Sequence, residues 1–276
     1  MAYTRKNTFV TWIFWRRYWC NFWHEGFQTQ NKALVLYYSQ TGTTQAVAEE
    51  IQRLTGADIE RFDVVEAYNG SYAETIQRCQ AEMQNGTLPQ VKPIEADLSK
   101  YDIIYLGYPI WFGTCARPAL ALLDTYDFSG KKIVPFCTFG SGGLVESTAD
   151  IRKQLPDAEV ADGYGVRTAR VASAPEEVAR FLVLNGYIEG EVEAYPDYSE
   201  QAPVSDEEKA IFEAACSSYQ FPLGTPVTVG SRTTPKGVDY RFVATSQGMD
   251  GATSESIVLV TVQAGQAPEF TQVIRK

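Results

Sequence analysis

The fold is decided by the stretch Lys32-Ala-Leu-Val-Leu-Tyr-Tyr-Ser-Gln-Thr-Gly-Thr-Thr44. Its first half, residues 33–38, is a short apolar run rich in strand-forming residues. Behind the stretch, Val47, Ile51 and Leu54 recur at helical spacing. We therefore predict a buried strand, a tight loop and a helix in direct succession.

The predicted loop is rich in hydroxyl groups and lies at the start of the helix. Its residues are Ser39, Gln40, Thr41, Gly42, Thr43 and Thr44. The first backbone N–H groups of a helix lack partners, and the helix dipole favours an anion there. The loop has neither the lysine of a nucleoside triphosphate loop nor the Gly-x-Gly-x-x-Gly pattern of a dinucleotide site. It is typical of a loop that binds a monophosphate through neutral donors. The alternative is an ordinary helix cap.

Two further buried strands, at residues 101–107 and 132–138, each lead into a loop with glycine and aromatic residues. The first loop is Tyr108, Pro109, Ile110, Trp111, Phe112 and Gly113. The second begins at the strand end and is Thr138, Phe139, Gly140, Ser141, Gly142 and Gly143. Ligands of open α/β sheets bind outside the carboxyl ends of the strands. We therefore expect all three loops to serve one ligand, with glycines that let the backbone approach a flat ring.

The remaining pattern predicts a doubly wound α/β fold. Strands are expected at 57–65 and 160–166, and helices at 72–84, 116–123, 144–155 and 175–185. Five strands that alternate with helices indicate a five-stranded parallel sheet.

The three loops resemble those of the flavodoxin family over about residues 32–190. The sequence Gly107-Tyr-Pro-Ile-Trp-Phe-Gly113, followed later by Phe136-Cys-Thr138, resembles sequences of a bacterial flavodoxin-like subfamily. The resemblance implies flavin mononucleotide (FMN) as the cofactor, with its phosphate at 39–44. The loops 108–113 and 138–143 would then flank the isoalloxazine ring, and Trp111 is the preferred stacking partner. A core position is the alternative for Trp111.

The resemblance also implies a redox function in which the flavin does the chemistry. Electrons would pass to a redox partner protein, or to a small acceptor. The alternative is a non-catalytic binding or docking module on a relic flavodoxin scaffold. The electron donor, the acceptor and the oligomeric state are left open by the sequence.

The charge of the chain narrows the class of partner. The net charge is −10 over 276 residues. Nucleic acid is excluded as a partner because its phosphates require a basic patch. The acidity suits a basic protein partner, with simple solubility as the alternative. Acidic surroundings are also expected to lower the reduction potential of a bound flavin, because its reduced ring is anionic.

The chain has a single histidine, His24, which argues against a histidine metal site and against a histidine-activated nucleophile. We therefore predict no metal and no catalytic side chain. None of the five cysteines forms Cys-x-x-Cys. Cys115 and Cys137 lie near the predicted flavin loops. We expect buried structural thiols there, since free cysteine is among the most buried residue types.

Residues 1–31 differ in composition from the rest of the chain. They hold four of the five tryptophans, and Arg16-Arg17 interrupts the apolar stretch that a secretory signal would need. The segment is either an interfacial anchor, which would be the only route to membrane contact, or an atypical leader. A cytoplasmic location is expected, and the alternative, if residues 1–30 derive from a leader, is an exported or envelope-associated protein.

A linker is predicted at residues 195–203, after a flavin-binding domain at 32–194. Residues 204–276 then read as one helix, opened by a capping box at Ser205 and Glu208, and an antiparallel set of strands. The segment Gly237-Val-Asp-Tyr-Arg-Phe242 resembles a strand of the cystatin-like fold. The hairpin before it, Thr233-Thr-Pro-Lys-Gly237, lacks the inhibitory pattern of that fold, so an accessory or docking role is favoured over protease inhibition.

Overall fold

The N-terminal part of the computed structural model contains a parallel sheet between two layers of helices. The structure describes residues 32–247 and 252–275, so the predicted leader lies outside the described residues. The strands are β1 (Ala33–Tyr37), β2 (Asp58–Arg61), β3 (Ile103–Trp111), β4 (Thr114–Cys115), β5 (Lys132–Phe139), β6 (Glu159–Val160) and β7 (Tyr164–Arg167). The helices are α1 (Thr43–Thr55), α2 (Tyr72–Asn85), α3 (Arg117–Thr125), α4 (Leu144–Gln154) and α5 (Ala174–Leu184).

The strand order confirms the predicted fold class. Strands β2, β1, β3 and β5 are neighbours in that order, and both β6 and β7 pair with β5. All of these pairings are parallel. The expected fifth strand is split into β6 and β7. Strand β3 is longer than predicted, and β4 returns beside its end as an antiparallel hairpin.

Two apolar cores explain why the sheet is covered on both faces. Leu34 and Leu36 of β1 pack into one core, and Val35 between them packs into the other. Successive residues of a strand point to opposite faces, so a continuous apolar run is needed when both faces are buried. The run at residues 33–38 therefore marks a central strand.

The C-terminal part is an antiparallel sheet with one helix. Its elements are β8 (Ala202–Pro203), α6 (Asp206–Cys216), β9 (Thr225–Thr234), β10 (Gly237–Gln247), β11 (Thr253–Gln263) and β12 (Glu269–Arg275). The sheet order is β12-β11-β10-β9-β8. The capping box of Ser205 and Glu208 forms as predicted, and α6 packs Phe212 edge-on against Phe242, with ring centroids 5.2 Å apart.

The segment predicted as a linker lies along the edge of the second sheet. The backbone N–H of Ser199 donates to the carbonyl of Ser231 at 2.8 Å, and β8 pairs with β9. Tyr195 lies under the guanidinium of Arg180, whose Cζ is 3.4 Å from the ring centroid.

The two sheets belong to one compact unit, joined by polar contacts. Arg167 donates from Nη1 to the carbonyl of Phe270 at 2.7 Å, and Arg170 Nε lies 2.9 Å from a carboxylate oxygen of Glu269. Within residues 32–247 and 252–275, no helix has the length and apolar character needed to cross a membrane.

Candidate cofactor-binding site

The three loops predicted to bind one ligand lie side by side at one edge of the parallel sheet. They follow β1, β3 and β5, which are adjacent and parallel. The hydroxyls of Thr44 and Thr138 lie 2.8 Å apart and join the first loop to the third. A methyl group on Gly143 would lie 2.6 Å from Ile110 Cγ2, so the second and third loops are in direct contact. The topology therefore brings all three predicted segments together.

The first loop ends in a helix start that has no side-chain cap. Gly42 is the N-cap residue of α1, in a left-handed conformation with φ of 87°, and no side chain accepts from the first turn. The backbone N–H of Gly42 donates to Ser39 Oγ at 3.1 Å, which folds the loop. Thr41 is exposed and Thr43 half-buried, with their hydroxyls 3.3 Å apart. Unpaired amides, two hydroxyls and the helix dipole suit a phosphate group.

Gln40 and Thr44 of the same loop have structural partners. The side-chain amide of Gln40 donates to the carbonyl of Tyr68 at 2.9 Å and to the hydroxyl of Thr75 at 3.0 Å. Thr44 is buried against Thr138. These contacts fix the loop to α2 and β5, and they leave Thr41 and Thr43 as its accessible hydroxyls.

The second loop begins later than the sequence suggests. Tyr108 is fully buried within β3, with its hydroxyl 3.1 Å from Ser147 Oγ, and burial raises its pKa well above the usual value. Pro109 is also within β3, paired with Thr138 of β5. The loop proper is the turn Phe112-Gly113 between β3 and β4.

The turn Phe112-Gly113 has an unusual backbone. Both residues have positive φ, 53° and 83°, as a two-residue hairpin turn of the I′ type requires. Among the described residues, Phe112 is the one non-glycine residue with positive φ. Such a conformation is sparsely populated for a bulky side chain and clusters at functional sites. Phe112 is also 49% exposed, so the structure presents an aromatic ring at the sheet edge.

Trp111 lies among other aromatic side chains. Its ring is edge-on to Tyr68 at a centroid distance of 5.0 Å and to Tyr38 at 5.9 Å. It is half-buried, and it packs against the core as well as against a small cluster around Tyr68. The hairpin is therefore anchored through Trp111, while Phe112 is left accessible.

The third loop is bound by the C-terminal strand β12. The carbonyl of Gly140 accepts from Arg167 Nε at 2.8 Å, and the carbonyl of Ser141 accepts from the backbone N–H of Val273 at 2.7 Å. A methyl group on Gly142 would lie 1.9 Å from the carbonyl oxygen of Val273, so only glycine allows this approach. Thr138 and Phe139, at the start of the loop, are buried.

A cleft of about 680 Å³ lies between the second and third loops and the C-terminal sheet, and residues 39–44 do not line it. Its volume falls within the range of about 300–1,000 Å³ typical of ligand sites. Ile110, Phe112, Gly113 and residues 140–143 line one side. The other side includes Tyr219, Phe221, Leu223, Glu255, Val273 and Arg275. The sequence gives no signal for this second wall, because its residues lie far along the chain from the loops.

A family model described as "Flavodoxin" matches residues 32–178, more than half of the chain. The chain belongs to the flavodoxin family. Its strand order is the flavodoxin-like one, in which the cofactor crevice lies where the order reverses. The three described loops lie at this edge of the sheet, after β1, β3 and β5.

Individual relatives share part of this flavodoxin chain. An NAD(P)H dehydrogenase (quinone) from Cupriavidus metallidurans is 34% identical over 99 residues, which are 34% of this chain and 46% of the relative. The chain thus spans about half the length of that curated relative.

Solved structures also match the flavodoxin part of the chain. One, described as a flavoprotein from Bacteroides eggerthii, is 26% identical, covers 54% of this chain and 98% of its own, and has a TM-score of 0.46. A flavoprotein in complex with FMN from Lactobacillus acidophilus is 23% identical, covers 53% of this chain and 99% of its own, and has a TM-score of 0.45.

The thiols near the flavodoxin loops are buried, as the sequence predicts. Cys115 and Cys137 are both fully enclosed. Burial raises the pKa of Cys115 to about 12 and that of Cys137 well above its usual value. A thiol of this kind stays protonated and is a poor nucleophile. Cys20 lies outside the described residues.

Proposed function

We propose that this flavodoxin binds FMN across the carboxyl ends of β1, β3 and β5 and acts as an FMN-dependent redox protein. Family membership bears out the prediction of a flavodoxin-like FMN redox protein. The observation that carries the assignment to these residues is that an uncapped helix start and two glycine-containing loops lie together at one edge of the sheet.

The phosphate is assigned to the start of α1. Thr41 and Thr43 have accessible hydroxyls, and the first amides of the helix have no side-chain partner. Ser39 and Gln40 shape the loop through their own hydrogen bonds. The site has no cationic side chain within the loop, so neutral donors and the helix dipole hold the anion.

The isoalloxazine ring is assigned to the cleft between Phe112-Gly113 and residues 140–143. The glycines allow a flat ring to approach the backbone closely, and the exposed face of Phe112 supplies an aromatic contact. We assign stacking to Phe112, and we assign to Trp111, which was the preferred candidate from the sequence, the role of anchoring the hairpin. Trp111 has two aromatic neighbours of its own.

The bound flavin would supply electron or hydride transfer, and the chain would bind and orient it. No side chain is needed as a general acid or base in this assignment. We propose a small acceptor or a redox partner protein as the electron acceptor. The cleft is open to solvent beside the exposed rings of Phe112 and Phe221, which suits direct access to the flavin.

We propose that residues 204–276 form an accessory domain of the cystatin-like type. One helix packed on an antiparallel meander supports this reading. The hairpin between β9 and β10 carries Lys236, which forms an ion pair with Glu176 of α5. A hairpin held against the flavodoxin part is poorly placed to enter a protease, so an accessory role fits better than inhibition.

The test is the absorption spectrum of the purified full-length chain, before and after incubation with FMN. Bound flavin bands at one FMN per chain are expected. Thr125→Val serves as a control variant, because its hydroxyl donates to the carbonyl of Ala121 within α3, away from the loops. A colourless chain that takes up no added FMN would instead favour the non-catalytic docking alternative.

A further inference from the structure

The C-terminal strand β12 forms one edge of the cleft assigned to the flavin. The backbone N–H of Val273 donates to the carbonyl of Ser141 at 2.7 Å, and Val273 forms a parallel bridge with Gly142. Backbone hydrogen bonding therefore joins the third loop, residues 138–143, to β12. Residues that follow Val273 are carried along the mouth of the cleft.

Arg275, two residues further along β12, reaches the second flavin loop. Its backbone N–H donates to Glu146 Oε1 at 3.4 Å, which fixes the main chain beside the start of α4. Its side chain extends to the Phe112-Gly113 turn. A methyl group placed on Gly113 would meet Arg275 Nη1 at 3.8 Å.

The charge of Arg275 is not neutralised by a close partner within the part of the chain that the structure describes. None of the salt bridges among residues 32–247 and 252–275 includes its guanidinium. The side chain is exposed at the cleft mouth. Glu146 and Glu255 also line the cleft, and the Arg275 guanidinium lies beside Gly113 of the turn assigned to the ring.

A cation in this position acts selectively on one redox state of the flavin. The oxidised ring is neutral, whereas the reduced ring carries negative charge at neutral pH. An opposite charge nearby stabilises the charged form, even where water screens part of the interaction. The effect of Arg275 is thus opposite in sign to that expected from the acidic surface of the chain.

We propose that Arg275 is part of the flavin site, where it stabilises the reduced ring and raises the reduction potential of bound FMN. The C-terminal part of the chain would then contribute a functional side chain to the flavin site and would not serve only as a docking surface. This inference rests on the proposed FMN function.

The test is a reductive titration of the FMN-loaded full-length chain against a reference dye, with the dissociation constant of oxidised FMN measured in parallel. Arg275→Gln is expected to leave the dissociation constant of oxidised FMN within about twofold of the wild-type value. It should raise the dissociation constant of reduced FMN roughly tenfold, because one favourable charge interaction is lost. For a two-electron couple, a tenfold change in that ratio is a downward shift of about 30 mV in the midpoint.

Two variants serve as controls. Arg275→Lys keeps the charge and should keep most of the midpoint. Lys209→Gln removes one positive charge from the exposed face of α6, where Lys209 lies 4.0 Å from Glu213, and should not move the midpoint. An unchanged midpoint in Arg275→Gln with normal FMN binding would overturn the inference. A wild-type chain that binds no FMN would overturn the proposed function instead.

Discussion

The hydroxyl oxygens of Thr44 and Thr138 lie 2.8 Å apart, and both side chains are buried. This hydrogen bond links the start of α1 to the end of β5 across 94 positions of sequence. It therefore holds the loop assigned to the phosphate at a fixed distance from a loop assigned to the ring.

The Thr44–Thr138 pair should show strong coupling in unfolding experiments. Thr44→Val or Thr138→Val alone leaves one buried hydroxyl without a partner, which costs about 1–3 kcal/mol. The double variant removes both groups and should cost clearly less than the sum of the two. Urea unfolding of the four proteins measures the coupling. Additive losses would show that the two hydroxyls do not act as a pair.

The phosphate assignment predicts that FMN and riboflavin respond differently to changes in the first loop. Thr41→Val with Thr43→Val removes two hydroxyl donors, and each hydrogen bond to a charged group is worth about 1.5–3 kcal/mol. The affinity for FMN should therefore fall by at least roughly a hundredfold. Riboflavin, which lacks the phosphate, should bind the variant as it binds the wild type. Equal losses for both ligands in fluorescence titrations would contradict the assignment.

The ring assignment predicts that Phe112 matters more than Trp111 for flavin contact. Phe112→Asn removes the ring and introduces a residue that tolerates positive φ, so the variant separates loss of the ring from backbone strain. Stacking is worth about 0.5–1.5 kcal/mol beyond area burial, so FMN and riboflavin should weaken alike, by roughly twofold to tenfold.

Trp111→Phe is the matched comparison, because it keeps an aromatic ring beside Tyr38 and Tyr68. It should leave the flavin affinity within about twofold of the wild-type value, the small effect expected for a residue that does not contact the flavin. If Trp111→Phe weakens flavin binding and Phe112→Asn does not, Trp111 is the stacking residue, as the sequence alone suggested.

The path of β3 explains this difference between sequence and structure. The pattern ends the strand at Gly107, because Tyr108-Pro109 looks like the start of a loop. In the structure β3 continues to Trp111, and neighbouring residues of a strand point to opposite faces. Ile110 and Phe112 therefore line the cleft, whereas Trp111 points to the aromatic cluster. A shift of the strand end by a few residues decides which aromatic ring is accessible.

The local elements were predictable for a physical reason, and the second wall of the cleft was not. Apolar runs such as residues 33–38 and caps such as Ser205 are local signals, so their strands and helices follow from neighbouring residues. The contact between Ser141 and Val273 joins segments more than a hundred residues apart. No periodicity in either segment encodes the other. The role of β12 at the site therefore required the structure.

The buried thiols should be inert in the folded chain. Burial raises the pKa of Cys115 to about 12, from 9.0 for an ordinary thiol. Because the folded-state pKa is the higher one, the stability that this neutral thiol contributes is complete below pH 9 and is lost as pH rises toward 12. At pH 8, iodoacetamide labelling with peptide mapping should modify half-buried Cys216 before Cys115 or Cys137. Rapid labelling of Cys115 would indicate an open path to its sulfur.

A titration of the flavin-free full-length chain with FMN, followed by absorption and by flavin fluorescence, tests directly whether this sheet edge binds the cofactor. Saturation at one FMN per chain is expected, with riboflavin bound more weakly because the start of α1 then has no phosphate to hold. A chain that shows no saturable uptake of FMN would contradict the assignment of the cofactor to this sheet edge.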